Sequence, residues 1–126
     1  MINYSDIQVA YQNATNYPDL VSKLIAIGIQ SYTVDVVTGT ILYRLPNGEN
    51  ILHFNNGARN IEENFSEEKT VQAIRNNQQG KTDFSTFINE IAIAGIRFYE
   101  ATLNGNNKRV TYIGSNGSYQ EMIPQQ

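Results

Sequence analysis

The residues best able to do chemistry in this chain are a glutamate set among tyrosines and a single histidine. Glu121 stands in Tyr119-Gln120-Glu121-Met122-Ile123, where the two-residue period of a strand puts it on one face with Tyr119 and Ile123. The expected hairpin sets it opposite Tyr112, whose counterpart in the first half of the chain is Tyr43. A buried carboxylate without a partner is costly, so it should accept a hydroxyl, meet a cation or face a cleft. Two readings stay open. In one, Glu121 is solvated at a sheet edge; in the other, Tyr43, Tyr112, Tyr119 and Glu121 form a ligand pocket in which the carboxylate pKa is raised. His53 is expected on the opposite, outer face beside Leu42, as an ordinary surface residue.

Other chemistries lack their residues. There is no cysteine, which removes disulfides and thiolate metal sites, and one histidine makes zinc and histidine-based catalysis poor fits. No elbow motif accompanies that histidine, and the glycines sit at helix ends and turns, not in a phosphate loop. Nine basic residues against twelve acidic ones, a net charge of −3, argue against a nucleic-acid surface. No apolar run approaches the roughly 20 residues that span a bilayer. The first residues, Met-Ile-Asn-Tyr-Ser-Asp, lack the charged and apolar regions of a signal peptide. The expectation is a cytoplasmic protein with no cofactor, no nucleic acid and no membrane among its partners.

The elements that must position these residues come in two similar sets. Tyr17 to Tyr32 returns as Phe84 to Tyr99, each stretch an apolar helical stripe closed by a glycine, Gly28 or Gly95, with isoleucine and tyrosine following at fixed offsets. Tyr43 answers to Tyr112 and Asn47-Gly48 to Asn116-Gly117, with two extra loop residues in the second set. A repeat of this kind sets the architecture.

In chain order, Ser5-Asp6-Ile7-Gln8 reads as a capping box opening a helix to about Ala14. Pro18 suits the first turn of a second helix ending at Gly28. From Gln30 the period is two, and turns at Thr38-Gly39 and Asn47-Gly48 make a three-stranded meander. These turns pair Val34 with Tyr43 and Tyr43 with Leu52. Phe54 to Asn60 is a run of turn formers, and Ile61 to Phe65 shows no clear period. Ser66-Glu67-Glu68 opens a third helix with acid at its positive end, and Asp83 caps a fourth. A second meander follows, Ile96–Leu103, Arg109–Gly114 and Ser118–Ile123, pairing Ala101 with Tyr112 and laying Tyr119 over Gly114. The expected fold is α+β: an internally duplicated ααβββ repeat in one domain, residues 1–126, with halves at 1–56 and 66–124 and a linker at 55–65. Its six strands form one antiparallel sheet with the helices on one face.

Ala94-Gly95-Ile96, Tyr99, Tyr112, Asn116-Gly117 and Tyr119-Gln-Glu121-Met-Ile123-Pro124, preceded by Gln78-Gln79-Gly80, resemble the pattern of a family of small bacterial proteins of unknown function. Some of its members are labelled phage envelope protein. The resemblance covers nearly the whole chain and implies no activity, because its motifs mark structure. The first half departs from the pattern, with Leu52 where Glu121 stands in the second.

The outer sheet face is expected to be unusually apolar for a solvated one, carrying Leu42, Ile51, Ile113 and Met122, with His53 beside them. An interaction or homo-oligomeric module without catalytic activity, binding a protein partner or itself through that face, is therefore the first functional expectation. A small-ligand-binding module with its pocket near Tyr112 and Glu121 is the alternative. An enzyme comes third, because no nucleophile–base pair or metal set can be assembled.

Overall fold

Each helix starts at a polar side chain that caps its free amides. In the computed structural model, which describes residues 2–55 and 57–124, α1 (Tyr4–Asn13) begins at Asn3, whose side chain accepts from the Ser5 and Asp6 amides. The Asp6 carboxylate reciprocates by accepting from the Asn3 amide at 2.8 Å, so the capping box lies two residues before the expected one at Ser5. Asn16 caps α2 (Tyr17–Ala26), Ser66 caps α3 (Glu67–Gln78) and Asp83 caps α4 (Phe84–Ile93). At the far end of α2, Gly28 takes φ +104° and lets the Ile29 amide reach back to Leu24 at 3.0 Å. Gly95 ends α4 in the same left-handed region, φ +90°, the conformation that glycine adopts without steric cost.

Six strands form one antiparallel sheet: β1 (Ser31–Asp35), β2 (Ile41–Arg44), β3 (Asn50–His53), β4 (Ile96–Thr102), β5 (Arg109–Gly114) and β6 (Ser118–Met122). Their order across the sheet is β3-β2-β1-β4-β5-β6, so the two meanders join along β1 and β4. At that seam Tyr32 pairs with Ala101 and Val34 with Tyr99, and Thr33 faces Glu100. The inward residues of the strands and the apolar stripes of all four helices share one buried cluster. This is the expected α+β class, with the helices on one face of the sheet. Residue 56 of the linker and residues 1, 125 and 126 of the expected domain lie outside the described residues.

The register departs from expectation in three places. Tyr32, not Val34, pairs with Tyr43, because the Asp35 carboxylate accepts the Val37 and Thr38 amides and turns the chain before Thr38-Gly39 is reached. In the second meander Tyr99 pairs with Tyr112, and the β5–β6 turn falls at Ser115-Asn116. Both shifts are of two residues and leave the faces unchanged. The β2–β3 shift is of one residue. A two-residue turn at Asn47-Gly48 would require an N–H from Pro46, which has none. Leu45 donates to Glu49 instead, and Tyr43 meets Ile51, not Leu52. A one-residue slip exchanges the faces of a strand.

The linker is pinned on the helix side. Arg59 donates to the Val36 carbonyl and to Asn89 of α4, and Ile61 packs on the core. Phe65, not Tyr119, shields the strand glycines: a Cβ on Gly117 would stand 2.4 Å from its ring.

Candidate functional site

The inner sheet face carries a row of tyrosines because β1, β2, β4, β5 and β6 each bring one to it. Tyr43, Tyr32, Tyr99, Tyr112 and Tyr119 lie along it, with ring centroids 5.7 Å apart for Tyr32–Tyr43, 5.2 Å for Tyr99–Tyr112 and 6.3 Å for Tyr112–Tyr119. Buried phenols need hydrogen-bond partners. Tyr17 at the start of α2 meets the Tyr32 hydroxyl at 2.7 Å, and Tyr11 of α1 meets that of Tyr43 at 3.3 Å. The Tyr99 and Tyr112 hydroxyls have no such partner among the described residues, although the two side chains are only 6% and 5% exposed. Burial pushes the pKa of Tyr32, Tyr99 and Tyr112 well above the ordinary phenol value, so all three stay protonated at physiological pH.

Those two hydroxyls face a cavity of about 530 Å³ between the sheet and the helices. Its floor is formed by the central strands, through Tyr32, Val34 and Tyr99, and its apolar walls include Leu20, Ile74 and Phe87. The α1–α2 loop (Thr15, Asn16), the α3–α4 loop (Gly80, Thr82) and Pro124 make the rim. A chamber of this size, mostly apolar with a few convergent polar groups, has the character of a small-molecule site.

Glu121 stands beside this chamber, on the inner face as strand parity required, but opposite Val110 and not Tyr112. Arg75 of α3 holds it with two hydrogen bonds, 3.1 Å to Oε1 and 2.9 Å to Oε2, and the Tyr119 hydroxyl donates to Oε2 at 2.7 Å. Partial burial alone would raise the carboxyl pKa, but Arg75 and Tyr119 together outweigh it, and the net displacement is downward. This corrects the raised pKa that the pocket reading carried. The carboxylate is an ionised member of a bidentate pair.

The four expected pocket residues therefore divide. Tyr112 and Glu121 line the cavity; Tyr119 acts on Glu121 from beside it, and Tyr43 lies behind Tyr11. Tyr11, Tyr17, Tyr99 and Arg75 were not read as site residues. Tyr99 was visible as the repeat mate of Tyr32, whereas nothing in the spacing of Arg75 and Glu121 announces their pairing.

The expected interface residues also divide. Leu42, Ile113 and Met122 are on the outer face, but Ile51 and His53 are on the helix side, a correction that follows from the one-residue shift at Pro46. The His53 ring stacks on Tyr4 with centroids 4.2 Å apart. Leu52 takes the outer place instead, opposite Leu42 and 46% exposed. Between the apolar positions runs a polar row in which Arg44 donates to Thr33 at 2.8 Å and Thr33 to Glu100 at 3.1 Å. Arg44 thus pairs with Glu100 and not with Asp35, whose carboxylate is engaged in its own turn.

Among the described residues, no group of three or more His, Cys, Asp or Glu side chains is placed to hold a metal ion, and no helix is long and apolar enough to cross a membrane. Fold and cavity together define an α+β protein of two ααβββ halves with a tyrosine-lined chamber beneath its helices. A family model described as "Protein of unknown function (DUF1398)" matches residues 6–120, and the chain belongs to that family. That description carries neither an activity nor a phage label. No curated protein matches the chain.

Proposed function

We propose that the chain is a small-ligand-binding module whose site is the chamber between sheet and helices. One observation carries this reading: Tyr99 and Tyr112, side chains almost wholly covered and without a hydrogen-bond partner for their hydroxyls among the described residues, line a cavity of about 530 Å³. A hydroxyl that opens onto a cavity keeps its donor free for an acceptor bound there. No nucleophile–base pair lines the chamber, so the reading is binding without covalent chemistry. The two halves, alike in element order and joined at a symmetric register, are read as copies of one ααβββ unit, with the chamber along their join.

The test is a ligand-observed NMR screen of small metabolites and fragments against the wild type and Ala14→Phe. Ala14 lies on the cavity wall at the end of α1, half-buried against the core, so a phenyl ring there fills the cavity and thermal unfolding confirms that the variant folds. Compounds that bind the wild type should be lost in the variant. A folded wild type that binds nothing, or hits that persist in Ala14→Phe, would refute the reading.

Self-association through the outer face is the second reading, favoured by the exposure of Leu52, Phe98 and Met122 at 46%, 36% and 53%. The polar row through Thr33 and Glu100 separates these side chains, which weighs against a continuous dry interface. Light scattering on the wild type and on Leu42→Asp with Ile113→Asp tests it. A dimer reduced to a folded monomer supports the face as an interface, and a monomeric wild type removes it.

A further inference from the structure

The lining of the chamber restricts what it can hold. Its one acidic side chain, Glu121, is already matched by Arg75, and no lysine or arginine lines it. An anionic guest would enter without a cation to meet it, and a cationic one would have to displace Arg75 from a two-point contact. Taking an unpaired charge out of water is too costly for either to be favoured. The walls contribute aromatic rings and aliphatic side chains: Phe84, Phe87, Leu20 and Ile74. Against that background stand the hydroxyls of Tyr99 and Tyr112, on neighbouring strands with ring centroids 5.2 Å apart. Both remain protonated, since burial raises their pKa values, so each can donate a hydrogen bond.

We infer that the chamber takes an uncharged, mainly apolar molecule bearing a carbonyl or similar acceptor, and that this acceptor docks on the Tyr99 and Tyr112 hydroxyls. The inference rests on the ligand-binding reading above and narrows it to a chemical class and a docking point. An acceptor held by both hydroxyls is fixed in orientation. The apolar walls supply its affinity by removing hydrocarbon from water.

Three probes of one shape separate the possibilities: 2-acetylnaphthalene, 2-ethylnaphthalene and 2-naphthoate, a neutral acceptor, a hydrocarbon and an anion. Each is titrated into the full chain while backbone amide shifts are followed. The ketone should bind about threefold to tenfold more tightly than the hydrocarbon, the range expected for one or two neutral hydrogen bonds, and the anion should bind most weakly. Tyr99→Phe with Tyr112→Phe should abolish the preference for the ketone and leave hydrocarbon binding unchanged. The single substitutions serve the same purpose if the double variant does not fold. Equal affinity for ketone and hydrocarbon, tightest binding of the naphthoate, or a ketone preference that survives both substitutions would overturn the inference while leaving the chamber a binding site. Failure of both neutral probes to bind the wild type would remove the chamber reading itself, and this inference with it.

Discussion

In the first half of the chain the two strand tyrosines are each met by a tyrosine from a helix: Tyr32 by Tyr17 and Tyr43 by Tyr11. In the second half Tyr99 and Tyr112 stand in β4 and β5, and neither α3 nor α4 carries a tyrosine. Phe84 opens α4 where Tyr17 opens α2, and α3 holds no tyrosine at all. The same backbone plan therefore closes its polar network on one side and leaves it open on the other. The cavity is lined from both sides, by Tyr11, Tyr17 and Tyr32 as well as by Tyr99 and Tyr112. What distinguishes the two halves here is the presence in one of two helix tyrosines that meet strand tyrosines, and the absence of any tyrosine from the helices of the other.

The largest expected difference between the halves lies at the helix-ending glycines. Gly28 and Gly95 both have positive φ, so alanine should cost about 1–2 kcal/mol at either from left-handed strain alone. A Cβ on Gly28 would meet nothing within 4 Å, but one on Gly95 would stand 2.8 Å from the Asn64 carbonyl oxygen and 2.9 Å from the Phe65 Cα. These are backbone atoms that cannot rotate away. Gly95→Ala should therefore lose about 1–3 kcal/mol beyond Gly28→Ala, the usual penalty for overpacking. Urea denaturation of the two variants measures this; equal losses would mean that the linker does not press on Gly95.

How much of this was legible follows from what periodicity encodes. Alternation assigned Tyr32, Val34, Tyr43, Tyr99, Tyr112 and Glu121 to the inner face, and shifts of two residues at Asp35 and in the second meander could not disturb that. A shift of one residue at Pro46 did, carrying Ile51 and His53 across the sheet. Its cue was present, since a proline before Asn-Gly cannot donate the hydrogen bond that a two-residue hairpin needs. The cavity was beyond reach in a different way. It arises from the spacing between two helix pairs, and no pattern along either pair records that distance. Arg75 was invisible as a site residue for the same reason, because its contact with Glu121 is set by how α3 settles against β6.

The tyrosine contrast can be inverted by substitution. Tyr17→Phe removes the partner of a fully buried hydroxyl and should destabilise the chain by about 1–2 kcal/mol, with the first half then resembling the second. Phe84→Tyr performs the opposite change. It places a further hydroxyl on the cavity wall, and should be neutral or stabilising by up to about 1 kcal/mol while weakening the binding of 2-acetylnaphthalene if that hydroxyl reaches Tyr99. Thermal unfolding and a probe titration on both variants read the two effects. Phe84→Tyr with undiminished ketone binding would show that the added hydroxyl does not reach Tyr99 or that Tyr99 is not the docking point.

A smaller effect attaches to Glu121, which stands opposite Val110 of β5 as His53 stands opposite Ile41 of β2. Its folded-state pKa is depressed below the ordinary value of 4.5, so its contribution is fully present above that pH and fades as the pH falls through the folded pKa. The Arg75 side chain is 42% exposed, so solvent limits the contribution to about 0–1 kcal/mol. Glu121→Gln should lose that much at pH 7 and very little near pH 2. Stability measured across this range would show no convergence of variant and wild type if Arg75 does not hold the carboxylate.

The least effect is expected at the seam, where the comparison becomes a direct contact. Thr33 and Glu100 occupy corresponding positions in β1 and β4 and face each other across the join. Were the halves alike here, two threonines would meet, a favourable cross-strand pair. Glu100 adds a bond from Thr33 and a 3.5 Å ion pair with Arg44, but both partners of that pair are well exposed, 48% and 40%. Glu100→Thr therefore exchanges a weak ion pair for a threonine ladder, and the net change should stay within about 0.5 kcal/mol of wild type. The salt dependence carries more information than the magnitude. Wild-type stability should fall slightly between low and 1 M salt as the pair is screened, and the variant should not follow it. A variant destabilised by more than about 1 kcal/mol would mean that the halves depend on this one charge to join, and that the symmetric register alone does not hold them.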